Sequence, residues 1–172
     1  PEAERHHRPP LLGDHSKIVV IHGGLDTERF RPRPANDPAV LALCREWRVA
    51  PEDFVFAVMG GYELPRGKGQ REFLRAAAML RDEMPRARFV MVGRGSLRAT
   101  LESDIATLGL EARATLAPWC GDMPAAMNAI DCLVHPQVGT EAFGLVVCEA
   151  HACGRPVIAS ALDGIPEAFA IG

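Results

Sequence analysis

FVFAVMGGYELPRGKGQREFLRAAAMLRDEMPRARFVMVGRGS, residues 54–96, decides the fold. It opens on six apolar residues without polar alternation, FVFAVM (54–59), and closes on a second such run, RFVMV (88–92). A strand reads this way when both faces of its sheet are covered. Between the two runs, Phe73, Ala77, Leu80 and Met84 recur at helical spacing and give a helix one apolar face. Strand, helix and strand joined over this length form a right-handed βαβ unit with parallel strands.

The same alternation extends in both directions. KIVVI (17–21), ATLA (114–117), DCLVHP (131–136) and PVIAS (156–160) read as further strands. Val40, Leu43, Cys44 and Trp47 mark one more helix, and Leu97, Leu101, Ile105 and Leu108 another, with Ser96 as its expected N-cap and Gly109 as its stop. The expected fold class is therefore α/β, a Rossmann-like doubly wound parallel sheet. The Pro-rich stretch RFRPRPANDP (29–38) reads as a connector inside one domain. The 172 residues, 48% hydrophobic and 24% charged, suit one globular domain. A net charge of −3 gives no global reason to bind nucleic acid or an anionic membrane. No apolar run approaches a membrane span, so no transmembrane segment is expected. Five scattered cysteines (Cys44, Cys120, Cys132, Cys148, Cys153) without a CxxC pair suggest free thiols in a reducing compartment.

In a sheet of this kind ligands sit beyond the carboxyl ends of the strands. The loops there are rich in glycine: HGGLD (22–26), GGYELPRGKGQ (60–70), GRGS (93–96), VGTEAFG (138–144) and LDGIPE (162–167). Several such loops on one rim suit a large ligand bearing phosphate. In TEAFGLVVCEAHACGRPVIAS (140–160), Glu141 and Glu149 stand eight apart. A helix starting near Gly144 would turn Glu149 toward the same rim as Glu141 and leave the amides of Gly144, Leu145 and Val146 without helical acceptors. Carboxylates accept from sugar hydroxyls and helix-start amides hold a diphosphate, which together describe a nucleotide-sugar pocket. Taken without its glycines, the pair reads rather as an exposed loop glutamate and a helix glutamate satisfied by solvent.

These motifs resemble the retaining glycosyltransferases of the GT-B fold, family four or glycosyl transferases group 1, and specifically their C-terminal, donor-binding domain. The likeness runs in order through VIHGGLDTERFRP (20–32), KGQREFLRAAAML (68–80), VGRGSLRATLE (92–102), APWCGDMPAAMNAIDCLVHP (117–136) and EAFGLVVCEAHACGRPVIAS (141–160) with GIPE (164–167). It implies that Glu141 is catalytic, near the reacting sugar carbon, and that Glu149 holds the ribose. Phe143, Gly144, Leu145 and Val146 would offer backbone to sugar and diphosphate, with Gly61 in the facing loop. Lys68 would neutralise the phosphates, with Arg66 swinging in for an arginine that the family usually carries before it, and Trp119 would flank the base. The co-substrate would be a nucleoside-diphosphate sugar, with neither cofactor nor metal.

The resemblance further implies that residues 1–172 are one half of an enzyme, whose N-terminal acceptor domain and last C-terminal elements lie elsewhere. Its partners would be the nucleotide-sugar donor and that missing domain, and its place cytoplasmic, peripheral to the membrane through the missing domain. The acceptor would be a cell-surface glycan or lipid precursor. One position departs from the family: five residues before Lys68, where an Arg is usual, stands Glu63. It leaves open whether the donor site is impaired. A non-catalytic nucleotide-binding module and a sugar-nucleotide epimerase of the same fold are the alternatives.

Overall fold

The computed structural model describes residues 19–63, 65 and 67–170. In chain order the elements are α1 (Pro38–Glu46), β1 (Phe54–Met59), α2 (Gln70–Leu80), β2 (Ala87–Val92), α3 (Arg98–Thr107), β3 (Ala114–Ala117), α4 (Met123–Asn128), β4 (Cys132–His135), α5 (Leu145–Ala152), β5 (Val157–Ala159) and α6 (Ile165–Ala170). The strands form one sheet in the order β3-β2-β1-β4-β5, every pairing parallel. Chain order reverses between β1 and β4, which makes their carboxyl ends the switch point of a Rossmann-like α/β fold.

Alternate residues of the central strands go to opposite faces, as the pleat requires. Val55, Ala57 and Met59 of β1, with Val90 and Val92 of β2, join the core beneath α1, α4 and α5 around Trp47, Met127 and Leu133. Val58, Phe89 and Met91 join the other core, beneath α2 and α3, around Phe73, Leu74 and Leu101. Covered on both faces over Val55–Met59 and Phe89–Val92, these strands carry unbroken apolar runs there. Helix α1 starts where Asp37 accepts from the amides of Ala39 (2.9 Å) and Val40 (3.2 Å), with Pro38 in its first turn.

Two local expectations are corrected. Residues 19–21, the described part of KIVVI, are exposed and belong to no strand; Val19, Val20 and Ile21 are 79%, 73% and 87% accessible. Lys17 and Ile18 lie outside the described residues. Ser96 is not the N-cap of α3. Leu97 holds that position, and the Ser96 hydroxyl donates instead to Glu63 Oε2 at 2.7 Å. Gly109 does stop α3, at φ +65° just beyond Leu108. All five cysteines are free, and burial pushes the thiols of Cys44, Cys132, Cys148 and Cys153 up.

Candidate functional site

A cavity of about 400 Å³ opens at the switch point, in the size range of small-ligand sites. Its floor is Met59 and Gly60 at the end of β1 and His135 at the end of β4. Lys68 enters from the β1–α2 loop, Glu141 from the β4–α5 loop, and Gly144, Leu145, Val146 and Glu149 from the start of α5. Trp119 stands on the rim, 53% exposed.

Backbone geometry brings Lys68 to Glu141. Gly69 sits at φ +83°, and a Cβ there would overlap the Pro136 carbonyl, so only glycine lets this loop press against the end of β4. Lys68 Nζ then donates to Glu141 Oε2 at 2.5 Å. Glu141 is fixed from behind by the β5–α6 loop: its amide donates to Asp163 Oδ2 at 3.1 Å, and its carbonyl accepts from the Gly164 amide at 3.3 Å. Asp163 holds that position at φ +48°, a backbone conformation that non-glycine residues rarely adopt.

Helix α5 begins after Gly144, at φ +86°, so its first-turn amides at Leu145 and Val146 precede any helical acceptor, and both residues line the cavity at the end of the helix that favours anions. Glu149 lies one turn further on. Burial pushes its carboxyl above the ordinary range, and the nearby Arg29 guanidinium opposes that shift. Arg29 and Phe30 also line the cavity, placed there by a turn in which Asp26 Oδ1 accepts from the amides of Glu28 and Arg29, both at 3.1 Å. The loop carrying Trp119 is anchored by Asp122, which caps α4 through Ala125 N (3.0 Å) and pairs with both Arg33 terminal nitrogens at 3.2 and 3.1 Å.

Seven of the residues expected from the sequence therefore line one cavity: Lys68, Trp119, Glu141, Gly144, Leu145, Val146 and Glu149. Gly61 does not; its neighbour Gly60 does, while the Gly61 carbonyl accepts from Gln70 Nε2 at 3.2 Å. The Phe143 side chain turns away, against the His22 ring at a centroid distance of 5.2 Å and into a small core with Ile165. Arg66 lies outside the described residues. Glu63 does not line the cavity: its carboxylate accepts from the amide (3.0 Å) and hydroxyl of Ser96, which with Arg94 hold it below the usual carboxylate range. GRGS serves packing. A Cβ at Gly93 would overlap the Gly60 carbonyl, and one at Gly95 the Tyr62 backbone. Sequence reasoning missed Arg29, His135 and Asp163, whose placement depends on contacts across the fold; for Arg29 the signal was a cation just after the HGGLD turn.

Fold and cavity define a Rossmann-like domain with an anion-facing helix start and two carboxylates in one site. Residues 53–172 match the family described as glycosyl transferases group 1, and the chain belongs to that family. D-inositol 3-phosphate glycosyltransferase of Streptomyces griseus is 33% identical over 178 residues, covering 92% of this chain and 37% of that protein. The protein of the same name from Mycobacterium marinum is 32% identical over 166 residues, covering 92% and 33%. The chain thus spans about a third of the length of the curated relatives it matches. Among solved structures, Anabaena HepE in complex with UDP and glucose superposes with a TM-score of 0.75 at 29% identity, over 87% of this chain and 39% of that one. The C-terminal domain of a group 1 family glycosyl transferase from Francisella tularensis shares the fold, with a TM-score of 0.64 at 23% identity over 84% of this chain and 74% of that one. No helix among the described residues is long and apolar enough to cross a membrane.

Proposed function

We propose that residues 1–172 are the C-terminal, donor-binding domain of a GT-B glycosyltransferase that transfers a sugar from a nucleoside diphosphate with retention of configuration. The observation that carries this reading is the meeting of Lys68, Glu141, Glu149 and the first amides of α5 in one cavity at the switch point. Each group has a task that its chemistry suits. Departure of the diphosphate builds negative charge, which the amides of Leu145 and Val146 and the Lys68 ammonium are placed to stabilise. Glu141 faces the sugar, where positive charge develops, and Glu149 accepts from the ribose hydroxyls. Trp119 offers an exposed ring to the base.

UDP is our choice of nucleotide, because HepE, the 29% identical neighbour, was crystallised with UDP. The acceptor domain lies in the part of the protein outside this chain. We take the acceptor to be a cell-surface glycan or lipid precursor and the enzyme to act in the cytoplasm, in polysaccharide biosynthesis, without a cofactor or resident metal. Glu63, which left open whether the donor site is impaired, is engaged by Ser96 and does not line the cavity, so its charge need not oppose a diphosphate.

The test is turnover of the full-length protein with UDP-, GDP- and ADP-sugars, the product's anomeric configuration being read by NMR. Glu141→Gln should cut turnover at least a hundredfold and change UDP affinity by less than about threefold, since only transition-state stabilisation is lost. Equal losses in both would make Glu141 a structural carboxylate. Interconversion of the donor sugar without any acceptor would point to an epimerase.

A further inference from the structure

His135 is the one buried imidazole facing the cavity among the described residues, and the roles proposed above leave it idle. It ends β4 at 2% exposure, directly under the start of α5; a Cβ on Gly144 would lie 3.8 Å from its Nε2. That nitrogen is buried and has no hydrogen-bond partner. It lies 3.6 Å from Glu141 Oε2, just too far for a hydrogen bond, and the same oxygen accepts from Lys68. A buried polar atom left unpaired carries a real cost, so its position beside a carboxylate calls for a use.

The neighbours fix what His135 can offer. Burial, with the Lys68 charge nearby, holds its pKa below the ordinary histidine value against the opposing pull of Glu141, so the ring is neutral at neutral pH. A neutral ring has one N–H, and a carboxylate oxygen facing Nε2 favours the tautomer with the proton there. His135 is thus a short-range, uncharged donor aimed at the residue proposed to face the reacting sugar.

We infer that His135 is a positioning residue for Glu141: as the diphosphate draws the Lys68 ammonium toward itself, His135 Nε2–H closes onto Glu141 Oε2 and keeps the carboxylate in place. The exchange rests on the donor-site reading above. It lets Lys68 serve two anions in turn. It also keeps the Glu141 charge directed at the sugar, because a neutral donor satisfies the oxygen without cancelling its charge as an ammonium does.

Two measurements test it. In the chain labelled with ¹⁵N-histidine, the His135 signal, identified by its loss in His135→Gln, should report a protonated Nε2. It should move downfield in its N–H proton on addition of UDP and stay put in Glu141→Gln. In the full-length enzyme, His135→Leu should lower kcat about tenfold with KM for the donor little changed, and His135→Gln, whose amide reaches the same point, should recover most of it. In the Glu141→Gln background, His135→Leu should cost nothing more.

A His135→Leu loss of equal size in both backgrounds, or a His135 signal protonated at Nδ1 alone, overturns the inference. If His135→Leu does not fold, the glutamine variant and the spectrum still decide. Failure of the parent chain to bind any nucleoside diphosphate would instead bring down the donor-site reading. Binding of UDP with no movement of His135 would sink this inference alone.

Discussion

Under the proposed donor-site reading, Glu149 trades stability for binding. Its carboxylate lies on a helix of eight residues in which Val147 and Ala150 are wholly buried, and burial raises its pKa against the pull of Arg29. A carboxyl whose pKa is raised on folding holds its proton more tightly folded than unfolded. Its contribution is therefore complete below the ordinary carboxylate range and is lost as pH rises through the raised value. Glu149→Gln removes that penalty, so the variant should melt above the parent at pH 7 to 8, with the gap closing as pH falls to about 4. Scanning calorimetry across this range checks it; a gap independent of pH would mean the gain has another source. The same change should weaken UDP binding about tenfold, because a charged acceptor for the ribose hydroxyls contributes roughly 1.5–3 kcal/mol and a neutral amide less.

At the scale of elements, glycines decide which loops meet. Gly69 precedes α2 at φ +83° and packs on Pro136, while Gly24 has open space around its α-carbon. Gly69→Ala should cost about 2–4 kcal/mol from the left-handed backbone and the displaced Pro136 carbonyl, and should loosen Lys68 from Glu141; Gly24→Ala should stay within about 0.5 kcal/mol. Urea unfolding of both variants separates a local clash from a general intolerance of alanine. The sequence showed these elements well where the signal was local: β1, β2 and β3 lie on their apolar runs, and α3 ends at Gly109 as expected. It misled where a partner was required. Residues 19–21 are β-branched and apolar, as a strand should be, yet they pair with nothing among the described residues, because composition states a preference and pairing needs a neighbour. Ser96 carries the right side chain for a cap, but Glu63, thirty-three residues earlier, takes its hydroxyl. In the site, Glu141, Glu149 and Lys68 were legible because their motifs are contiguous. His135 and Asp163 were not, since one reads as a strand end and the other as a turn residue until β4, α5 and the β5–α6 loop are assembled.

For the whole molecule, the cavity's position predicts how binding spreads through the fold. Its lining comes from the segment of Arg29 and Phe30, the ends of β1 and β4, the loops carrying Lys68, Trp119 and Glu141, and the start of α5. Phe30 and Met59 belong to the core shared by α1, α4 and α5, and Met123 and Val146 pack against it, whereas α2 and α3 with their own core lie on the opposite face of the sheet. UDP bound there should therefore stabilise the chain as a unit but protect it unevenly. At a hundred times its dissociation constant a ligand adds about 2.7 kcal/mol, and in a domain of this size each kcal/mol raises the melting temperature by roughly 2–4 °C, giving a rise of about 5–11 °C. Uridine at the same concentration should raise it far less, because the amides of α5 and the Lys68 ammonium have no phosphate to meet and its dissociation constant is larger. Hydrogen exchange should slow most at Leu145, Val146, Gly60 and Lys68, and little in α3 beyond the global gain, since no residue of α3 reaches the cavity. Equal shifts from uridine and UDP, or protection centred on α3 and β3, would move the ligand off the switch point and take the phosphate from α5.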